Sequence, residues 1–243
     1  MWVLAHRGAS KAAPENTLKA FRLAIEKGAT GIEFDTYQLG EQIVVFHDRW
    51  LDRTTNGHGL ITAQSFEALR QLDAGDGEVI PTLAETLALM PANALCNIEI
   101  KHLTDAAGWL KTLDLAMAAS SLDYSKLILS SFNHTWLRQL KNLRPELQVG
   151  ALTATYPENG AEFATHLSAY SLHMDLDVID QHYVTQAQQA GLKVLVYTVD
   201  QKEDLLLMAD WGVDGVFTNV PELAKQVLAE RVESALAPGT EEK

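Results

Sequence analysis

Gly31-Ile32-Glu33-Phe34-Asp35-Thr36 is the stretch on which the reading of this chain turns. In a β-strand alternate side chains share a face, so Glu33 and Asp35 point one way while Phe34 packs on the other. Asn97-Ile98-Glu99-Ile100-Lys101 repeats the pattern. There Ile98 and Ile100 are expected to face a layer of helices, with Asn97, Glu99 and Lys101 turned toward a barrel axis. Charges deep inside a barrel are very costly, whereas at its C-terminal mouth they belong to a site.

Working outward, short β-type runs alternate with helical runs almost to the end of the chain. The expected strands are Val3–Ala5, Gly31–Thr36, Leu95–Ile100, Leu127–Ser130, Gln148–Leu152, Tyr170–His173, Lys193–Tyr197 and Gly215–Thr218. Asn16 is expected to cap a helix whose stripe is Leu18, Phe21 and Ile25, and Gly28 to stop it. Asp200 with Glu203 reads as a capping box for a helix running through Met208 to Gly212. Lys27-Gly28, Ala190-Gly191 and Trp211-Gly212 repeat one device, in which a helix ends on glycine and the next strand begins. Eight βα units in succession predict an α/β fold of the TIM type, a closed (β/α)8 barrel. From about residue 38 to 81 the rhythm breaks, with Ile43–Phe46, Asn56-Gly57-His58-Gly59 and Asp73-Ala74-Gly75-Asp76-Gly77. This reads as a small insertion after the second strand, over the end that carries the chemistry. Residues 1–243 then form a single domain, with a short acidic tail, 231–243, expected to fray.

The 243 residues carry a net charge of -13. That excess argues against a nucleic-acid or anionic-membrane partner, whose contacts need clustered Lys and Arg, and it is compatible with a monomer or a homodimer. It says little about a small anionic substrate, which responds to the local field of its site. Cys96, the one cysteine, lies in an apolar run and is expected to be a buried, inert thiol. Trp2-Val3-Leu4-Ala5 is too short an apolar run for a signal peptide, and no stretch reaches membrane-spanning length, so a cytoplasmic location is expected.

Three carboxylates (Glu33, Asp35 and Glu99) converging at one barrel mouth either gather a cation or have raised pKa values. An all-oxygen set suits one hard divalent ion, Mg2+ or Ca2+. His6-Arg7-Gly8 closes the first strand and Phe46-His47-Asp48 the short run after the second. Cleaving a phosphodiester needs a base and an acid, and the two imidazoles suit that work near neutral pH. Arg7 offers a fork for phosphate oxygens and Lys101 a point charge. Gly8 lets backbone approach a ligand or shapes a turn. Tyr197, near the end of its strand, is the aromatic expected to line the cleft, with Trp136 and Tyr156 read as packing. Asp48 is expected to orient its neighbour.

Ala5-His6-Arg7-Gly8, Pro14-Glu15-Asn16-Thr17, Ile32-Glu33-Phe34-Asp35, Phe46-His47-Asp48, Leu51-Asp52-Arg53-Thr54-Thr55-Asn56-Gly57 and Asn97-Ile98-Glu99-Ile100-Lys101 together resemble the glycerophosphodiester phosphodiesterases. Ser130-Ser131-Phe132 and Gly191-Leu192-Lys193-Val194 leading to Tyr197-Thr198-Val199 extend the likeness, which runs from His6 to about Asn219. The resemblance implies a TIM-type barrel with an inserted segment at about residues 48–80. It implies a divalent metal on Glu33, Asp35 and Glu99, and His6 and His47 as acid and base. It also implies Arg7 and Lys101 as phosphate binders, and release of an alcohol and sn-glycerol 3-phosphate. The attacking oxygen is that of water or of the substrate's own glycerol. Two positions depart from the family's habit: Asp200, often Asn, and Asn219, often Asp. A glycosidase is the rival that acidic barrel strand ends also allow, but its chemistry needs no metal. A relative cleaving lysophospholipids would need an apolar entrance, to which Trp50, Leu51 and Phe66 could contribute.

Overall fold

All eight expected strand segments form strands in the computed structural model, which describes residues 1–236. In chain order the strands are β1 (Trp2–His6), β2 (Gly31–Leu39), β3 (Gln42–Val45), β4 (Leu95–His102), β5 (Leu127–Ser131), β6 (Val149–Thr153), β7 (Ser171–Asp175), β8 (Lys193–Tyr197) and β9 (Gly215–Thr218). The helices are α1 (Leu18–Glu26), α2 (Phe66–Leu69), α3 (Leu83–Leu89), α4 (Ala106–Ala118), α5 (His134–Leu143), α6 (Glu162–His166), α7 (Gln181–Gln189), α8 (Lys202–Trp211) and α9 (Pro221–Leu236). The strands pair in the order β1-β9-β8-β7-β6-β5-β4-β2, and β1 pairs β2 to close the ring. Every pairing in that ring is parallel. The result is a TIM-type (β/α)8 barrel.

The alternation read from the sequence explains which face each residue takes. Phe34, Ile98 and Ile100 join the main core between barrel and helices, where Phe34 meets Phe21 of α1 at 5.8 Å. Leu4, Leu195 and Phe217 form a smaller apolar cluster inside the barrel. Cys96 is buried, and burial pushes its thiol up to about 12, as suits an inert packing residue. Gly28, Gly191 and Gly212 all have positive φ, so each helix ends in the left-handed turn that glycine adopts without strain.

β2 runs on past the barrel rim to Leu39, and β3 returns antiparallel beside it. The segment that follows carries α2 and has its own small core of Tyr37, Val44, Phe46, Leu51, Ile61, Leu69, Ala74 and Ile80. A capping box between Thr82 and Glu85 starts α3, and Arg70 grips the Glu85 carboxylate to pin the segment to that helix. Leu51 is buried in this core and Phe66 packs on it, whereas Trp50 is 56% exposed. At the C-terminus α9 keeps its helical path to Leu236, beyond the start of the expected frayed tail. The remainder of that tail, 237–243, lies outside the described residues.

Two expectations about local structure are corrected. The cap of α1 is Thr17, whose hydroxyl accepts from the Ala20 N–H. Asn16 instead sits at φ 57, the left-handed region that Asn tolerates, and its amide donates to Asp35 at 2.9 Å. Asp200 does not cap α8, whose N-cap position is Gln201. Its oxygens accept from Thr218 and Asn219 across the end of β9. Gly8 shapes a turn, one of the two readings its place allowed. Its φ is +84, and a Cβ there would come within 2.7 Å of Ala20 backbone.

On β7, His173 lies wholly inside the barrel, with Nε2 2.8 Å from the Ser171 hydroxyl and Nδ1 unpartnered. Burial lowers its pKa to about 3. Between the ordinary value near 6.5 and about 3, the unfolded chain binds a proton there that the folded chain refuses. The stability this provides is intact above pH 6.5 and drains as pH falls through that window, by about 1.4 kcal/mol per unit. In urea titrations from pH 7 to 4, His173→Gln should therefore lose stability less steeply than the parent chain. Parallel slopes would refute this.

Candidate active site

The register of the first strands builds the site. His6 at the end of β1 is paired with Glu33, and Asp35, two residues on, is paired with Glu99 of β4. Because the strand period is 2, Glu33 and Asp35 emerge on the same face. One oxygen of each of Glu33, Asp35 and Glu99 lies within 4.8 Å of the others. Glu33 and Asp35 are buried, and the Oε1 of Glu33 has no hydrogen-bond partner. Burial, with Asp35 and Glu99 beside it, pushes the Glu33 carboxyl well above the ordinary range. Burial and Asp35 push Glu99 up to about 7. A cation among these oxygens would pair the orphaned one and offset the repulsion, so the cluster could hold a metal ion.

Cations of the chain frame the cluster. The Nε of Arg7 is 3.2 Å from Asp35, and its Nη1 donates to Glu15 at 3.0 Å. The Arg7 backbone N–H donates to Glu33 Oε2 at 3.0 Å. Arg7 has φ 57, a left-handed conformation of the kind that clusters at functional sites. Lys101, two residues on from Glu99, donates to it at 2.9 Å and stands 3.7 Å from Asp35. Burial alone would lower its ammonium, but Asp35 and Glu99 outweigh that and raise it.

The two histidines are held differently. His6 Nδ1 is 2.8 Å from the Asn219 side-chain oxygen, and Nε2 is 3.9 Å from Glu33. Burial and the neighbouring Arg7 lower His6 to about 4, so its imidazole is neutral at pH 7. His47 Nδ1 is 2.5 Å from Asp48 Oδ1. Arg53 in turn donates to both oxygens of Asp48 and both of Glu15. The Arg53 contact, with His47 helping, brings Asp48 down to about 2, so a full carboxylate backs His47. Glu15 falls to about 2 because Arg53 and Arg7 outweigh the effect of burial.

A cavity of about 190 Å³ opens among these groups. His6, Arg7, Glu33, His47, Glu99, Lys101 and Tyr197 line it, all of them singled out in the sequence. Asp35 belongs to the carboxylate cluster beneath. The Tyr197 hydroxyl donates to the Thr153 carbonyl at 2.8 Å, so what Tyr197 offers the cavity is its ring. Phe132 stands edge-on to that ring at 6.0 Å and is 48% exposed. With Leu152 and Phe217 it makes one wall apolar. Sequence reasoning missed these three as lining residues. Phe132 sat inside a recognised motif, but an aromatic one residue past a strand carries no signal of which way it turns. Trp136 packs on the main core, and the Tyr156 hydroxyl donates to Asp180 instead of reaching the cavity. Among the described residues no helix is long and apolar enough to cross a membrane.

Residues 6–223 match the model of the glycerophosphoryl diester phosphodiesterase family. A glycerophosphodiester phosphodiesterase of Caldanaerobacter subterraneus is 40% identical over 230 residues, covering 90% of this chain and 94% of the relative. Another of Bacillus subtilis is 31% identical over 249 residues, covering 92% and 85%. Among solved structures, an Oleispira antarctica phosphodiesterase in complex with the product sn-glycerol-3-phosphate superposes with a TM-score of 0.86 at 32% identity, over 94% of this chain and 97% of that one.

Proposed function

The chain belongs to the glycerophosphoryl diester phosphodiesterase family, and we propose that its cavity hydrolyses glycerophosphodiesters to an alcohol and sn-glycerol 3-phosphate with a divalent cation bound. The observation that carries that reading is three carboxylates within 4.8 Å of one another, one oxygen orphaned, in the wall that holds both histidines. The oxygen-only set favours Mg2+ or Ca2+ on Glu33, Asp35 and Glu99. When bound, that ion supplies positive charge to non-bridging phosphate oxygens.

The chain's own groups account for the rest. Arg7, held by Glu15 and Asp35, directs its remaining N–H donors toward phosphate, and Lys101 adds charge from β4. Both stabilise the charge that builds on the phosphorus oxygens in the transition state. One of His6 and His47 takes a proton from the attacking oxygen, which belongs to water or to the substrate's glycerol, and the other gives one to the departing alcohol. The ring of Tyr197, with Phe132 and Leu152, provides an apolar side against which glycerol carbons pack. Product binding to the Oleispira antarctica relative supports a small glycerophosphodiester as the substrate.

Glycerophosphocholine with Mg2+ or Ca2+ is expected to release sn-glycerol 3-phosphate, followed by a coupled dehydrogenase assay. EDTA should stop the release, and added ion should restore it. Release that continues undiminished in EDTA would end the metal-dependent reading.

A further inference from the structure

Asp200 lies outside the cavity, yet its carboxylate is spent almost wholly on one neighbour. Oδ1 accepts from the backbone N–H of Asn219 at 2.8 Å and from the Thr218 hydroxyl at 3.1 Å. Oδ2 accepts from the Asn219 side-chain amide at 2.7 Å. A carboxylate only accepts, so the Asn219 amide must turn its NH2 toward Asp200 and its oxygen away. That oxygen accepts from Ser10 at 2.8 Å and lies 2.8 Å from His6 Nδ1. The Ser10 hydroxyl also reaches the His6 carbonyl at 2.9 Å. An amide oxygen only accepts, so His6 Nδ1 has to carry a hydrogen. In the neutral ring Nε2 is then bare, and it is Nε2 that faces Glu33 and the cavity.

We propose that Asp200 is a positioning residue for the phosphodiesterase reaction, setting the Asn219 amide so that His6 presents a bare Nε2 to the substrate. The inference rests on the role given to His6 in the proposed function. Without Asp200 only the Ser10 hydroxyl favours that orientation of the amide, and its single hydrogen can go to the His6 carbonyl instead. Flipped, its NH2 would face Nδ1, move the hydrogen to Nε2 and block the ring as a proton acceptor. The pair needs one amide and one acceptor-only group, and Asp200 is the acceptor-only one.

The test uses 15N-labelled full-length enzyme loaded with Mg2+. Two-bond 1H–15N correlations identify the protonated ring nitrogen, and His6→Gln assigns the signal. The parent chain should show hydrogen on Nδ1. In Asp200→Ala the signals should shift toward a mixture of tautomers, and kcat should fall about 10- to 100-fold while KM moves by no more than about threefold. Exchanging the two groups, in Asp200→Asn combined with Asn219→Asp, again gives one amide and one carboxylate, with an acceptor still facing Nδ1. This double variant should restore the Nδ1 pattern and bring kcat to within about threefold of the parent. It also decides the matter should Asp200→Ala not fold. An Asp200→Ala enzyme with the parent's ring signals and kcat within about twofold would overturn the proposal, as would a folded double variant without rescue. Failure of the reading beneath it is separate: it would show as full activity in His6→Gln, whatever the tautomer.

Discussion

Asp35→Asn is expected to lower kcat on the order of a thousandfold while leaving the fold intact. Asp35 is Cα-paired with Glu99 and belongs to the only cluster of three or more metal-ligating side chains among the described residues. An amide of the same shape keeps a partner for Asn16, which now donates to Asp35 at 2.9 Å. Arg7 still has Glu15 at 3.0 Å and Lys101 still has Glu99 at 2.9 Å, so no buried cation is stranded. What the variant loses is one of the three carboxylates proposed to hold the ion. Charge stabilisation by a bound divalent ion is worth several kcal/mol in a transition state, and about 4 kcal/mol corresponds to roughly a thousandfold. Steady-state kinetics at saturating Mg2+ or Ca2+ would measure it. A variant within about tenfold of the parent would remove Asp35 from the ligand set.

The second large effect concerns the histidines. His6→Ala and His47→Ala should each cost about 10²–10⁴ in kcat on glycerophosphocholine, the usual contribution of a general acid or base. Their surroundings predict that the two losses respond differently to the leaving group. His47 is backed at Nδ1 by Asp48, a carboxylate clamped by Arg53, an arrangement that suits a proton donor. His6 is neutral, with Nδ1 hydrogen-bonded to an amide oxygen, which suits a proton acceptor. A nitrophenyl ester of glycerol phosphate has a leaving group that needs no proton. On that substrate His47→Ala should recover most of its loss, and His6→Ala should not. Equal recovery by both variants, or by neither, would contradict this division.

The sequence carried the barrel because strand parity and helix-ending glycines are local properties. The periodicity around Glu33 and Glu99 needs only the strand repeat to set Glu33 with Asp35, and Glu99 with Lys101, on one face. The closure of the ring made His6 and Glu33 neighbours, a consequence of parallel pairing between β1 and β2. Most polar groups of the site were legible for the same reason, since each stands at a strand end.

What was not legible depended on contacts far apart in the chain. Asn16 looked like a helix cap, because Asn is a good one. Thr17 took that place, and Asn16 reached Asp35, 19 positions away, a partnership that helix rules do not describe. Asp200 likewise had the spacing of a capping box, but the end of β9 brought Asn219 to it first. The apolar wall escaped because Leu152 and Phe217 resemble ordinary core residues, and only the barrel's curvature turns them to the cavity. Tyr197 was found by its place on the strand. That its hydroxyl is already occupied by Thr153 could come only from the fold.

On the reading proposed above, one divalent cation sits on Glu33, Asp35 and Glu99, beside His6 and His47. Isothermal titration of metal-stripped enzyme with Mg2+ or Ca2+ tests it most directly, run beside a Glu33→Gln, Glu99→Gln double variant with its folding checked by circular dichroism. One ion should bind per chain in the parent, with no measurable binding in the double variant and hydrolysis that returns only with the ion. Undiminished binding by the folded double variant would contradict it.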